Sequence, residues 1–227
     1  MDNFDYNKIE PGYYDYIIDQ NNIRSSWHKY KFEFVKSKLI NTSVQDIGCG
    51  PGTFLGRYCV NFTSTGYDLI DHQINFAKIQ YPNVRFVKNM DLIEDETFDN
   101  IVLIELIEHL DENYTIELLS GLKKNLSKDS QIILTTPNYR SAWPILEVIL
   151  DYKYKTNYRK QHIQHFHLDK MNKLASKIDL KLIESGTLNA FDPFLKSTQF
   201  DKSSILEKFI NKIKLGFLCY GIFKKKI

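Results

Sequence analysis

The sequence predicts an α/β fold built on a doubly wound, mostly parallel sheet, and three observations predict it. From Ser43 onward, short apolar runs alternate with segments of helical spacing. A glycine-rich turn, Gly48-Cys-Gly50-Pro-Gly52, directly follows the first of those runs. The 227 residues, 43% hydrophobic and 26% charged, are globular in composition and sufficient for a single domain over 1–227. Strands alternating with helices place a parallel sheet between helical layers, with ligand at the carboxyl ends of the strands.

The elements follow in order. Residues 1–40 form an N-terminal helical extension, in which Trp27, Tyr30, Phe34, Val35, Lys38 and Leu39 within 26–40 recur at helical spacing. Ser43–Ile47 is a short buried strand, and 53–61 the helix behind the glycines. The stretch 63–70 is strand two, and 71–80 a helix stopped by Pro82. Strand three covers 84–90, strand four begins the run 98–107, and a helix spans 112–125. Strand five, 131–138, is ended by Pro137 and leads into a polar and aromatic insert over 139–167. A helix at 168–178 precedes two alternating segments, 180–188 and 216–225, with an amphipathic helix near 203–214 between them. That arrangement allows one antiparallel strand, whose placement periodicity leaves open.

Composition excludes several classes. A formal net charge of +2 is too balanced to predict polyanion binding. No apolar run approaches the roughly 20 residues that span a bilayer. The acidic, polar start MDNFDYNKIE is no secretory signal, so the expected location is the cytoplasm. Cys49, Cys59 and Cys219 offer neither a paired framework nor a CxxC, which suits a reducing compartment. Lys224, Lys225 and Lys226 read as a solvated tail, with a phosphate or membrane-surface contact as the alternative. The oligomeric state is not readable.

The strongest chemical signal is Asp46-Ile-Gly48-Cys-Gly50-Pro-Gly52, between a strand and a helix. Glycines there let the backbone pass close to a ligand where a Cβ would collide. The nicotinamide fingerprint wants glycine at its first, third and sixth positions, and counting from Gly48 the sixth is Thr53. Asp68, at the end of strand two, can accept hydrogen bonds from both hydroxyls of a ribose. Helix capping is its ordinary alternative, a use that Asp71 also serves. After strand three, Asp91 can meet an adenine amine with Met90 packed on the ring, or be an ordinary loop acid.

With these residues in place, the chain resembles the class I S-adenosylmethionine (SAM)-dependent methyltransferases. Within them it is similar to the branch of ubiquinone-biosynthesis O-methyltransferases and bacterial surface-sugar methyltransferases. The stretches QDIGCGPGTFL, TGYDLI, the run Glu105-Leu-Ile-Glu108-His109-Leu and TTPN carry the likeness, from about Arg24 to the final strand. The resemblance implies a seven-stranded, Rossmann-like sheet with an antiparallel last pair, and SAM as methyl donor. It implies that Asp46, Gly48, Gly50 and Gly52 flank the methionine part, with Cys49, Leu69 and Glu105 in the same cofactor-contacting stretches. Asp68 would hold the ribose, and Met90 with Asp91 the adenine. The stretch RSSWHKYKF resembles a lid helix, in which Arg24 and Trp27 would cover the cofactor; an ordinary packed helix is the alternative.

An alcohol or phenol acceptor must lose its proton to a base or a bound metal. On a helical turn Glu105, Glu108 and His109 stand at i, i+3 and i+4 and share a face. That set can bind a divalent cation, with Mg²⁺ or Mn²⁺ suited to oxygen-rich coordination. His109 and Glu108 are then the candidate catalytic pair; a dipole-favoured Glu and a packed His are the ordinary roles. The run also resembles RNA 3′-terminal 2′-O-methyltransferases, which add downstream histidines, here His162, His165 and His167. Tyr139, Tyr152, Tyr154 and Tyr158 in the insert can line an aromatic acceptor pocket or a solvated surface. The leading reading is methyl transfer to an oxygen of a small molecule, sugar or lipid-linked acceptor. Methylation of an RNA ribose and a non-catalytic SAM-binding partner subunit are the competing ones, and nicotinamide binding is a distant fourth.

Overall fold

Strands buried on both faces need apolar residues at successive positions, and the second half of β4, Ile101 to Ile104, has them. In β4 (Phe98–Ile104), Val102 packs into one core layer while Ile101 and Leu103 pack into the other. The computed structural model describes residues 8–154, 157–189 and 214–226. Around β4 lie β1 (Ser43–Ile47), β2 (Thr63–Tyr67), β3 (Arg85–Val87), β5 (Leu126–Pro137), β6 (Leu180–Leu188) and β7 (Leu218–Lys225). Together they form one seven-stranded sheet in the order β3-β2-β1-β4-β5-β7-β6. The first five strands pair in parallel, and β7 runs antiparallel to both β5 and β6. Strand order reverses direction between β1 and β4, which opens the crevice where such sheets bind ligands.

One face of the sheet is covered by α2 (Ile23–Lys38), α3 (Thr53–Tyr58) and α4 (Asp71–Gln80), through residues such as Val35, Leu55 and Ala77. The other carries α5 (Glu112–Leu122) and α8 (Leu168–Lys177), through Leu119, Leu122, Met171 and Leu174. A short α1 (Tyr13–Asp19) precedes α2, and the insert folds into α6 (Trp143–Tyr154) and α7 (Tyr158–Gln161). No described helix is long and apolar enough to cross a membrane.

Side-chain capping moves several boundaries from their expected places. The first long helix starts at Ile23 because the Asn22 side chain accepts the Ser25 N–H at 2.9 Å. Strand three stops at Val87 rather than Met90. The Asn89 side chain accepts the Asp91 N–H at 3.0 Å and bends Met90–Ile93 into a 3-10 turn. Strand two stops at Tyr67, where Asp68 accepts the Ile70 N–H. Strand five begins five residues early, at Leu126. Its polar residues 127–130 bulge out between the Phe98–Leu126 and Asn100–Gln131 pairs, so no alternation marks them. The helix expected near 203–214 lies outside the described residues.

Leu103 is fully buried at the centre of the sheet. Its replacement by alanine should cost about 3 kcal/mol of unfolding free energy in urea titrations. A loss below about 1 kcal/mol would contradict its central position.

Candidate functional site

The loop after β1 turns on three left-handed glycines, Gly48 (φ 77°), Gly50 (φ 52°) and Gly52 (φ 76°). The Gly48 and Cys49 N–H groups both donate to the Tyr67 carbonyl, at 2.8 and 3.0 Å, so the loop is stitched to the end of β2. A Cβ on Gly48 would strike Leu106, and one on Gly52 would strike Phe86 at 2.5 Å. A Cβ on Gly50 would meet nothing within 4 Å, so the space in front of that residue is open. Only Gly50 stands where a ligand can lie against bare backbone.

Two carboxylates flank this loop. Asp68 accepts the Gly50 N–H at 2.8 Å and the Ile70 N–H at 2.9 Å. The same side chain thus ties the loop to β2 and keeps lone pairs for a further donor. Burial raises its pKa, against the pull of those backbone donors. Asp46, at the end of β1, is buried with Oδ1 lacking any partner. Burial, and then the charge of Asp68, push its pKa up to about 8.

Strand β4 ends abruptly. Glu105 adopts φ 52°, its N–H donates to the Thr135 carbonyl at 2.9 Å, and its carboxylate pairs with Lys31 of α2. The Lys31 side chain is only 1% exposed. Tyr14 of α1 is half-buried, and desolvation, then the charge of Glu105, drive its pKa well up. The backbone next makes a 3-10 turn over Ile107–His109, so Glu105 does not share a helical face with Glu108 and His109. The expected i, i+3, i+4 set is broken by one left-handed residue.

His162, brought in by α7, stands near Glu108 and His109 instead. The three side chains each offer a ligand atom, all within 4.8 Å of one another. Glu108 is buried, with Oε2 accepting from the Thr136 hydroxyl at 2.9 Å and Oε1 unpartnered. Burial raises its carboxyl pKa to about 7. His109 donates Nδ1–H to the Gln161 carbonyl at 3.1 Å, which puts the lone pair on Nε2. Burial lowers its pKa to about 4, so it is neutral at ordinary pH. His162 donates Nδ1–H to Glu147 at 2.7 Å, and the Tyr139 hydroxyl donates to the same carboxylate oxygen at 2.8 Å. Burial alone would depress His162, but the bond to Glu147 and the charges of Glu108 and Glu147 raise it above 6.5. Gln164 locks the insert to the turn: its N–H donates to the Glu108 carbonyl at 3.0 Å and its amide to Leu110 at 2.6 Å.

The remaining candidates fall in different places. Cys49 is buried under the loop, where a Cβ on Gly66 would meet its sulfur, and burial pushes its thiol pKa well up. Leu69 and Asp91 are exposed and Met90 half-buried, at the carboxyl ends of β2 and β3. Trp27 packs against Trp143 and Phe217, and Arg24 lies over the Tyr13 ring. His165 is exposed and stacks on Tyr139, while His167 precedes α8. Tyr14 and Glu147 carried no sequence signal, and Lys31 and Thr136 stood in stretches marked only for their resemblance, because each has a partner remote in sequence.

Removing one member of a buried ion pair leaves the other uncompensated. Lys31→Met should cost about 3–5 kcal/mol, and Lys31→Met/Glu105→Leu should recover much of it, both read by urea unfolding. A single substitution as mild as the double one would refute the pairing. Asp46 adds a pH dependence. The folded chain holds its proton up to about pH 8 while the unfolded chain releases it near 3.8, so stability falls as pH rises through that window. Asp46→Asn should flatten this slope by at most about 1.4 kcal/mol per pH unit. Parallel slopes for the two proteins would show that Asp46 does not titrate in this way.

The family model described as "Methyltransferase domain" matches residues 23–185. No curated protein matches the sequence. Solved structures with the same fold include a protein from Pyrococcus horikoshii OT3, at 17% identity and TM-score 0.66, covering 98% of this chain and 100% of that one. A SAM-dependent methyltransferase from Archaeoglobus fulgidus aligns at 22% identity and TM-score 0.60, covering 88% and 97%. Magnesium protoporphyrin IX methyltransferase from Synechocystis PCC 6803, with bound S-adenosylhomocysteine (SAH), aligns at 13% identity and TM-score 0.63, covering 94% and 93%. The family match spans most of the chain and includes the glycine loop, Asp68 and the β4 turn, so the chain belongs to the methyltransferase-domain family and carries the class I SAM-dependent methyltransferase fold.

Proposed function

We propose that the chain transfers a methyl group from SAM to an oxygen of a small-molecule, sugar or lipid-linked acceptor, with His162 as proton acceptor. The cofactor part rests on the open space before Gly50, the unpartnered Asp46 oxygen and the remaining lone pairs of Asp68. These would face the methionine part and the ribose, with Met90 and Asp91 toward the adenine. Bound SAM supplies a sulfonium-activated methyl group, and the protein's task is alignment, exclusion of water and removal of a proton.

The observation that carries the acceptor part is the Glu147–His162 bond. A buried carboxylate fixes the imidazole tautomer, which leaves Nε2 to take the acceptor's hydroxyl proton as the new oxygen–carbon bond forms. His109, with its depressed pKa, is a poorer base and serves as a neutral hydrogen-bond acceptor beside it. Glu108, with its raised pKa, adds a second proton-accepting oxygen. The rings of Tyr139, Trp143 and Tyr158 lie 6.5, 6.2 and 5.4 Å from the His162 ring and suit a sugar or ring-bearing acceptor.

A second reading rests on the convergence of Glu108, His109 and His162. A divalent cation held there would acidify the acceptor hydroxyl, and two imidazoles with one carboxylate suit Mn²⁺ better than Mg²⁺. Glu105 would take no part, since Lys31 engages it.

Calorimetry with SAM, SAH and NAD tests the cofactor; tight NAD binding would overturn it. Transfer of labelled methyl from SAM, screened over hydroxyl-bearing metabolites, amines and RNA, tests the acceptor, and label on an amine or on RNA would refute the reading. His162→Ala should lower turnover at least about 100-fold with SAH affinity kept. Wild-type turnover should rise with pH through a midpoint above 6.5, and Glu147→Gln should move that midpoint down, because burial then dominates. Activity abolished by a chelator and restored by Mn²⁺ would select the cation reading over the base.

A further inference from the structure

Helix α6 is apolar on two opposite faces. Its inner face seats Trp143 and Glu147 among the residues described above. Its outer face carries Ile145, Val148, Ile149 and Tyr152, which are 68%, 47%, 53% and 91% exposed. These positions are i, i+3, i+4 and i+7, one continuous stripe on a single side of the helix. A surface helix ordinarily turns polar residues outward, and a contiguous exposed apolar stripe marks an interaction surface.

The exposed charge beside the stripe is net positive. Lys153, Arg159 and Lys160 are exposed on α6 and α7. The only acids in residues 141–165 are Glu147 and Asp151. Glu147 is buried against His162. Asp151 is engaged with α7, accepting the Tyr158 N–H at 2.5 Å and pairing with Arg159 at 3.2 Å. Tyr152, at the end of the stripe, adjoins Lys153, an amphipathic ring next to a cation.

We propose that this face docks onto an anionic lipid bilayer. The stripe enters the acyl boundary, Tyr152 sits at headgroup level, and Lys153 and Lys160 meet the lipid phosphates. Charge selects this occupant over a second copy of the chain. A twofold contact would set the same basic cluster against itself, whereas an anionic surface complements it. Glu147 and its partner His162 lie on the other side of the same helix. Docking therefore brings the His162 cluster within about one helix diameter, some 10 Å, of the membrane surface. The docking proposal does not rest on the acceptor chemistry, because binding is read without turnover.

The test is flotation of the full chain with vesicles of phosphatidylcholine containing phosphatidylglycerol, and with phosphatidylcholine alone. The chain should float with the anionic vesicles and lose them as salt is raised. Ile145→Ser/Ile149→Ser/Tyr152→Ser should weaken that binding at least about tenfold. Lys153→Glu/Lys160→Glu should abolish the preference for phosphatidylglycerol. Unchanged SAH affinity and unfolding midpoint in both variants show that the fold is kept. Absence of wild-type flotation, or equal flotation of the serine variant, overturns the proposal. A wild-type dimer in sedimentation velocity that the serine variant dissolves, without vesicle binding, would assign the stripe to self-association instead.

Discussion

The buried pair between Lys31 and Glu105 is the constraint on which the site's geometry depends. A strand that ran on past Ile104 would carry its side chains out of the sheet into solvent. Glu105 stops it with a left-handed backbone, and the ammonium of α2 holds the carboxylate where that backbone leaves it. The next residues can then turn tightly. Glu108 is sent inward to Thr136 and His109 outward to the Gln161 carbonyl. The ammonium has no bulk water to fall back on and the carboxylate little, so helix and strand tip are bound to each other. The same helix packs Tyr30, Phe34 and Val35 into the core, so α2 is a wall of the site as well as a cover.

Much of the fold was legible in the sequence because it is written in periodicities. The alternation of buried strands and amphipathic helices marks the parallel sheet, and the glycine turn marks its ligand edge. Boundaries set by a single side chain, as at Asn22, Asn89 and Asp68, were legible only to within a few residues. Residues 127–130 escaped notice because a bulge removes the alternation that identifies a strand. Gly48, Gly50, Gly52 and Asp68 lie in two short stretches, so their meeting at one loop could be expected from the sequence, and the Asp68–Gly50 bond joins them. The cluster around Glu108 could not be expected in the same way. Helical spacing grouped Glu105 with Glu108 and His109, but one positive φ separates them, and such a value at glutamate has no sequence signature. His162 was visible as a histidine in the insert, yet its approach to Glu108 depends on Gln161 and Gln164 bonding to a turn about fifty residues away.

The site shows how burial sorts similar groups into different roles. His109 and His162 have rings 5.0 Å apart, yet one is pushed toward acid pKa values and the other raised. The difference is the partner at Nδ1, a neutral carbonyl in one case and a carboxylate in the other. Asp46 and Glu108 are both raised by desolvation, one at each side of the β1–β4 crevice. Protons are thus favoured at two buried carboxyls along the carboxyl edge of the sheet, where the α/β architecture places its chemistry.

The position of β7 has a consequence for how the protein is made. Leu218–Lys225 pairs with β5 on one side and β6 on the other, so the last-synthesised described strand is an interior one. As the chain leaves the ribosome, β1 to β5 can assemble in sequence, while β6 has no neighbour to join. During that interval the outer edge of β5, apolar from Ile132 to Leu134, presents unpaired amides and carbonyls. The nascent sheet therefore stays open to pairing with another chain until β7 emerges.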